Sequence, residues 1–195
     1  MGQCPSNKGQ LDVSVSYGVI TGDQVAQQFS TGDNANSSGN NKTLTYNSGA
    51  TFFSARYFLF NRLAIGLCYG VTNERGQYAD RTNPSFIAST YKQGITTIAM
   101  ELYYIYSFRK YFEVYTLLGI GPAFINTQTT AYAAPNATGV ITTAAENNLK
   151  AQYSPIGVRF GGKLGGFVEL GIGYKGVISG GVSYKFGRPC WWKGH

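Results

Sequence analysis

The sequence predicts an all-β protein, an eight-stranded antiparallel up-and-down β-barrel that spans a membrane. Three observations support this fold class. Short segments alternate apolar residues with small or polar ones, which is the period of a strand whose two faces meet different surroundings. Long polar connections alternate with very short ones, as they do in membrane barrels. Charged residues make up only 13% of the 195 residues, against about 25% in a typical soluble domain.

The alternation is clearest in the first and last strands. In the first strand, Leu11, Val13 and Val15 alternate with Asp12 and Ser14. The six segments between these two strands alternate in the same way, although the second predicted strand, at residues 45–60, carries aromatic residues on both faces. The predicted strands are residues 11–19, 45–60, 63–71, 97–106, 112–121, 156–160, 168–174 and 178–186.

The connections predict which end of the barrel faces which side. Three are rich in Gly, Asn, Ser, Thr and Gln and are predicted to be long mobile loops, at residues 21–42, 72–92 and 126–150. Four are predicted to be short, at residues 61–62, 108–110, 161–163 and 175–176, the last a two-residue hairpin. Short turns face the periplasm in outer-membrane barrels. We therefore expect periplasmic residues at 1–9, a barrel domain at 10–186, and a periplasmic tail at 187–195.

Aromatic residues cluster near the ends of the predicted strands and suggest two membrane-interface belts. The alternative is that Tyr and Phe are simply good strand formers. The short-turn belt contains Phe60, Tyr104, Tyr106, Phe108, Tyr111, Phe112, Phe160, Phe167, Tyr184 and Phe186. The long-loop belt contains Tyr17, Phe52, Tyr69, Phe124, Tyr153 and Tyr174.

Nearly every strand carries one charge on its small-residue face. These four acids and three bases are Asp12, Arg56, Glu101, Glu113, Arg159, Glu169 and Lys185. Isolated charges inside a narrow barrel are costly, whereas mixed signs can pair. The pattern favours a structural polar plug, because eight strands enclose little more than side chains. The open alternative is a narrow ion or small-solute channel.

A soluble lipocalin-like barrel that binds a ligand is the second alternative, because its strands alternate too. In that fold the apolar face would point inward and the charges would meet water. The polar face here is rich in Gly, Ser and Ala and poor in Lys and Glu, which suits a cramped interior better than a solvent surface.

The residue inventory argues against an enzyme. His195 is the one histidine, so an interior Ser-His-Asp triad and a multi-histidine metal site are excluded. Glu101 and Glu113 are interpreted as an ion-pair network with Arg56 and Arg159 rather than a glycosidase pair. The glycine-rich stretches match no phosphate loop. No cofactor is expected. The net charge of +7 is scattered, which disfavours nucleic acid and favours membrane lipid and lipopolysaccharide.

The two ends of the chain carry the remaining candidate residues. Cys4 and Cys190 lie on the same predicted side, where an oxidising periplasm permits a disulfide between them. The alternative for Cys4 is a lipidated N-terminus. Trp191 and Trp192 are predicted either to anchor the tail at the membrane interface or to dock another envelope protein. Cys68 is expected to fill space inside the barrel.

These residues resemble the small outer-membrane β-barrel family of the OmpX/OmpA transmembrane type, in the style of Bacteroidota sequences. The resemblance is carried by residues 11–18 and, more strongly, by residues 169–176 and 182–186, ending at Phe186. It covers nearly the whole chain through patterns rather than signatures, and the tail beyond Phe186 departs from it. It implies structural, adhesive or small-pore roles without catalysis. It also implies the bacterial outer membrane, so we expect a mature form whose signal peptide has been removed.

Overall fold

The computed structural model describes residues 8–19, 41–47, 49–79, 87–109, 111–132 and 139–187. All regular elements in these ranges are β-strands. They are β1 (Leu11–Val19), β2 (Asn41–Asn47), β3 (Ala50–Phe58), β4 (Leu63–Ala79), β5 (Ile87–Arg109), β6 (Phe112–Ala131), β7 (Val140–Gly161), β8 (Leu164–Gly173) and β9 (Ile178–Phe186). Within the described ranges, no helix is long and apolar enough to cross a membrane.

The strands form one antiparallel sheet that closes on itself. The ring runs β1-β3-β4-β5-β6-β7-β8-β9 and returns to β1. β2 and β3 both pair with β4, at Asn47↔Glu74 and Thr51↔Val71, so they are two segments of one barrel strand. The ring therefore has eight strands, as the sequence predicts. Closure leaves the barrel wall without an unpaired edge.

Alternation places the apolar residues outside and the small or charged residues inside. In β1, exposed and buried residues alternate without interruption, and β6 and β9 follow the same period over most of their length. Leu67, Met100 and Ile120 are 62%, 55% and 55% exposed on the outer wall. Such a surface is the reverse of a water-soluble fold, whose apolar face is buried.

Two of the three predicted long loops are wrong. The ladder between β4 and β5 continues to Ala79↔Ile87, and the ladder between β6 and β7 continues to Ala131↔Val140. Polar composition indicated contact with water, but Thr, Tyr and Ile in these segments favour strands. For the first predicted loop, β2 begins at Asn41, and residues 20–40 lie outside the described ranges.

The last connection also differs from its prediction. The β8–β9 ladder ends at Leu170↔Ile178, so the connection is longer than two residues. Gly173 has a φ of 140°, a conformation that only glycine adopts readily. The alternation of inward and outward side chains breaks here, because it requires ordinary strand backbone. Tyr174 therefore turns inward and is 5% exposed.

The aromatic belts need three corrections. Phe52, Phe167 and Tyr174 are buried rather than exposed at an interface. Phe52 shares its strand face with Ser54 and Arg56, so strand parity assigns it to the interior. The other belt residues whose side chains are described are exposed, except Phe112, which is half-buried. The side chain of Phe108 is not among the described ones.

Interior glycines make room for large side chains that cross the lumen. A Cβ atom at Gly157 would overlap the ring of Tyr115, whose hydroxyl donates to Glu169 Oε1 at 2.9 Å. We expect Gly157→Ala to lower the free energy of unfolding by about 1–3 kcal/mol, the usual range for overpacking. Gly166→Ala is the matched control, because its Cβ would meet only a carbonyl oxygen at 3.8 Å. Urea unfolding of both variants in detergent tests this, and equal losses would contradict it.

Candidate functional site

The interior of the barrel holds all seven charged residues singled out in the sequence. Each is at most 7% exposed. They lie on seven of the eight barrel strands and come from the small-residue face, so alternation alone directs them inward. They divide into an upper cluster, nearer the long hairpins, and a lower cluster, nearer the short turns.

The upper cluster is built around Glu101 and Glu169. Arg56 Nε donates to Glu101 Oε2 at 3.1 Å, and Arg56 Nη2 lies 3.8 Å from Glu169 Oε1. Lys175 Nζ lies 2.5 Å from Glu101 Oε1 and 3.8 Å from Glu169 Oε2. Two carboxylates and two cations thus alternate in one buried group, which offsets the cost of taking the charges out of water.

The lower cluster joins three strands near the short turns. Lys185 Nζ donates to both oxygens of Glu113 at 2.6 Å. Arg159 donates to Ser183 Oγ at 2.6 Å and to the carbonyls of Gly162 and Lys163 at 2.9 and 3.1 Å. Arg159 therefore fastens the β7–β8 turn to the wall.

Asp12 lies between the clusters, directly across from Arg56 on β3 and Lys185 on β9. Neither of its carboxylate oxygens has a hydrogen-bond partner among the described residues. Its charge is offset by Arg56 and Lys185 on the neighbouring strands and by Arg159 on β7.

Lys175 is an interior residue that sequence reasoning missed, because it was assigned to a surface hairpin. It is 0% exposed. The available signal was strand parity, because Lys175 is an even number of residues from Glu169, which lies on the inward face of β8. Glu74, 5% exposed, was also missed, since it was placed in a loop.

Aromatic rings fill much of the space beside the charges. Tyr103 and Tyr115 stack with centroids 4.2 Å apart, and the Arg56 guanidinium lies 5.0 Å from the Tyr103 ring centroid. Phe58, Ile105 and Leu117 pack with them in one buried cluster. A charged group beside a ring face gains a further attraction.

Glu101 and Glu113 are on neighbouring strands, but they do not form a carboxylate pair. Glu101 aligns with Gly119, six residues along β6 from Glu113, and each glutamate has its own lysine partner. Among the described residues, no group of three or more His, Cys, Asp or Glu side chains could hold a metal ion.

The candidates at the chain ends lie outside the described residues. Cys4, Cys190, Trp191 and Trp192 are all in this position, so their disulfide and anchoring roles stay predictions. Cys68 is inside the barrel and 1% exposed, where it packs with Phe52 and Tyr174.

A second feature projects from the long-hairpin end. The upper parts of β4, β5, β6 and β7 continue as one sheet beyond the level at which β8 and β9 end. Residues 140–149 of β7 pair with β6 on one side and, among the described residues, with no strand on the other. All of these side chains are exposed. Within the described part of the chain they form an open sheet edge about 33 Å long.

The barrel is similar to solved structures of outer-membrane proteins. For Ail, the attachment invasion locus protein of Yersinia pestis, the TM-score is 0.46 with 10% identity, covering 92% of this chain and 99% of that one, both alone and in complex with the heparin analogue sucrose octasulfate. For outer membrane protein AlkL in DMPC lipid bilayers, the TM-score is 0.35 with 13% identity, covering 99% of this chain and 97% of that one. No protein-family model matches the sequence, and no curated protein matches it.

The polarity of the wall is decisive for the architecture. Apolar side chains cover the outside of a closed ring while acids and bases are paired inside it. Such an apolar outer surface fits the interior of a lipid bilayer. The closed ring fits it as well, because the backbone groups of the wall form their hydrogen bonds within the ring. The chain is an eight-stranded transmembrane β-barrel.

Proposed function

We propose that the chain is a non-enzymatic outer-membrane barrel with a plugged interior, which acts by binding another protein at its projecting sheet. The observation that carries this proposal is the edge of β7 at residues 140–149, which pairs with no strand on its outer side among the described residues. An unpaired edge presents a row of backbone donors and acceptors that an extended segment of another chain can satisfy. The barrel then serves as the membrane-bound support for that edge.

The side chains of the edge favour a protein partner. Val140, Ile141 and Leu149 are 70%, 64% and 73% exposed, and Ile141 and Leu149 share a face because they are separated by an even number of residues. Exposed apolar groups beside unpaired backbone are typical of interaction sites rather than of free surfaces. Edges that must avoid pairing usually carry several charges or proline, whereas residues 140–149 carry one charge, Glu146, and no proline.

The lower part of the exterior supports contact with lipid. The apolar belt suits acyl chains. Beyond it, Arg75 and Lys92 are exposed neighbours in register on β4 and β5, where two positive charges would attract the anionic headgroups of lipopolysaccharide. These contacts would hold the barrel in place and leave the edge available.

The plugged interior is supported by the paired charges and stacked rings of the lumen. We expect planar bilayers containing the purified barrel to show no steady conductance. A stable, ion-selective current would instead favour the channel alternative.

The edge is tested by substituting it without touching the barrel. A photo-crosslinking residue at position 147 captures the bound protein partner in cells. In Ile141→Lys/Leu149→Lys, we expect the yield of the crosslinked adduct to fall at least about tenfold, since central apolar contacts dominate binding. Stability should stay within about 0.5 kcal/mol, as for other surface changes. The matched control is a crosslinker at Thr129, on β6, which has strands on both sides. The proposal would be contradicted if the crosslinker at position 147 gave no discrete adduct. It would also be contradicted if Ile141→Lys/Leu149→Lys left the amount of that adduct unchanged.

A further inference from the structure

The connection between β8 and β9 enters the barrel rather than projecting from it. We call residues 173–177 the inward turn. Its two central side chains, Tyr174 and Lys175, are 5% and 0% exposed. The hairpins joining β4 to β5 and β6 to β7 instead extend away from the barrel. One connection at this end is therefore built differently from its neighbours.

The inward turn crosses the lumen and contacts several walls. The Lys175 backbone N–H donates to Gln152 Oε1 on β7 at 2.8 Å. The Tyr174 ring lies 5.7 Å from the ring of Phe52 on β3. A Cβ atom at Gly18 on β1 would overlap the Lys175 carbonyl, and one at Gly119 on β6 would overlap the Tyr174 hydroxyl. Small residues on opposite walls therefore leave the space that the turn occupies.

Both side chains of the turn converge on Glu101. Lys175 Nζ lies 2.5 Å from Glu101 Oε1, and the Tyr174 hydroxyl donates to the same oxygen at 3.2 Å. A buried ammonium is costly unless it is paired. The position of the turn therefore depends on the carboxylates of Glu101 and Glu169.

Glycines with positive φ flank the two buried side chains of the turn. Gly173 and Gly176 have φ angles of 140° and 96°, which favour glycine and allow other conformations at little steric cost. Past the last ladder pair, Gly171 N–H donates to the Val177 carbonyl at 2.9 Å and Gly176 N–H to the Gly173 carbonyl at 3.1 Å. One backbone bond ties the turn to a neighbouring strand, from Tyr174 N–H to the Ala151 carbonyl on β7 at 3.3 Å. The side-chain contacts with Glu101 add to this bond in holding the turn inside.

We propose that the inward turn is a hinged cap, latched by Lys175, which closes the lumen at the long-hairpin end. When the cap swings out, Glu101, Glu169 and Arg56 remain on the wall with a net charge of −1, so the opened entrance admits cations in preference to anions. This inference is separate from partner binding, because a barrel without any partner would still carry the cap.

Cys68 reports on the cap. It is 1% exposed and packs in the same cluster as Tyr174, so the cap shields its thiol from water. In a Cys4→Ser/Cys190→Ser background, we expect slow modification by a cationic methanethiosulfonate reagent. Adding Lys175→Met should speed the reaction at least about tenfold, because loss of one partner of a buried ion pair favours the open state. An anionic reagent should gain less.

Lys185→Met is the matched control. It removes the other buried lysine–glutamate pair, which does not touch the turn, and it should leave the rate for Cys68 unchanged. If Lys175→Met fails to assemble, Glu101→Gln/Lys175→Met removes both charges together, so that the Glu101 carboxylate is not left buried without its lysine; this variant should also react faster. An unchanged rate in the variant that assembles, or an equal gain in Lys185→Met, would overturn the cap.

Discussion

Replacing Arg56 by methionine is expected to lower the free energy of unfolding of the barrel by about 3–5 kcal/mol, the usual cost of removing one partner from a buried ion pair. Arg56 is 2% exposed and serves both Glu101 and Glu169. Methionine fills similar volume, so the loss reports on charge more than on packing. Urea unfolding in detergent, followed by the heat-modifiable migration of the folded barrel, measures it.

A second substitution separates charge from shape. In Arg56→Met/Glu169→Gln, one acid is removed together with the base, so we expect part of the stability to return, as it does for coupled neighbours. The free energy of unfolding of Arg56→Lys should lie between those of the wild type and Arg56→Met, because lysine keeps the charge but lacks the planar set of donors of arginine. A loss below about 1 kcal/mol in Arg56→Met would show that the upper cluster is not a stabilising network.

The inward-facing charges were predictable because alternation has a period of two. Once Leu11 and Val13 were assigned to the outer face, Asp12 had only the lumen to face. The same rule placed residues such as Glu101 and Lys185 without any knowledge of their partners. Pairing needs register, and register between strands far apart in sequence cannot be read from one sequence. For example, Lys185 pairs with Glu113, 72 residues away, and no pattern in the sequence indicated this pairing.

The connections were harder to predict, for two physical reasons. Residues 140–149 mix apolar and polar side chains on both faces, and composition cannot distinguish a solvated strand from a loop when neither face is buried. At Tyr174, directly after the positive-φ Gly173, the alternation ended, because Tyr174 has the outward parity of Leu170 but lies inside. A glycine-rich turn in the sequence is compatible with either an outward or an inward course. The choice depends on the space left by Gly18 and Gly119 on distant strands.

The second large effect concerns the outer wall. Leu67→Arg is expected to cost about 2–4 kcal/mol in lipid vesicles, the range for arginine near the middle of a bilayer. Leu67 is 62% exposed and aligns with Ala55 and Met100 on the neighbouring strands. Aromatic Tyr69 lies two residues towards the long hairpins. Tyr104 aligns with Leu63, on the opposite side of Leu67. The position is therefore central in the apolar belt.

Val140→Arg is the matched control, because Val140 is 70% exposed but lies on the projecting sheet. We expect a change within about 0.5 kcal/mol, as for surface substitutions in water. The two variants add the same charged group to similarly exposed positions, so their difference measures the surroundings and not the residue. A lipocalin-like barrel in water would tolerate arginine at both positions. Equal, small effects in urea titrations of folded vesicles would therefore contradict a membrane belt, whereas a selective loss at Leu67 requires lipid against that wall.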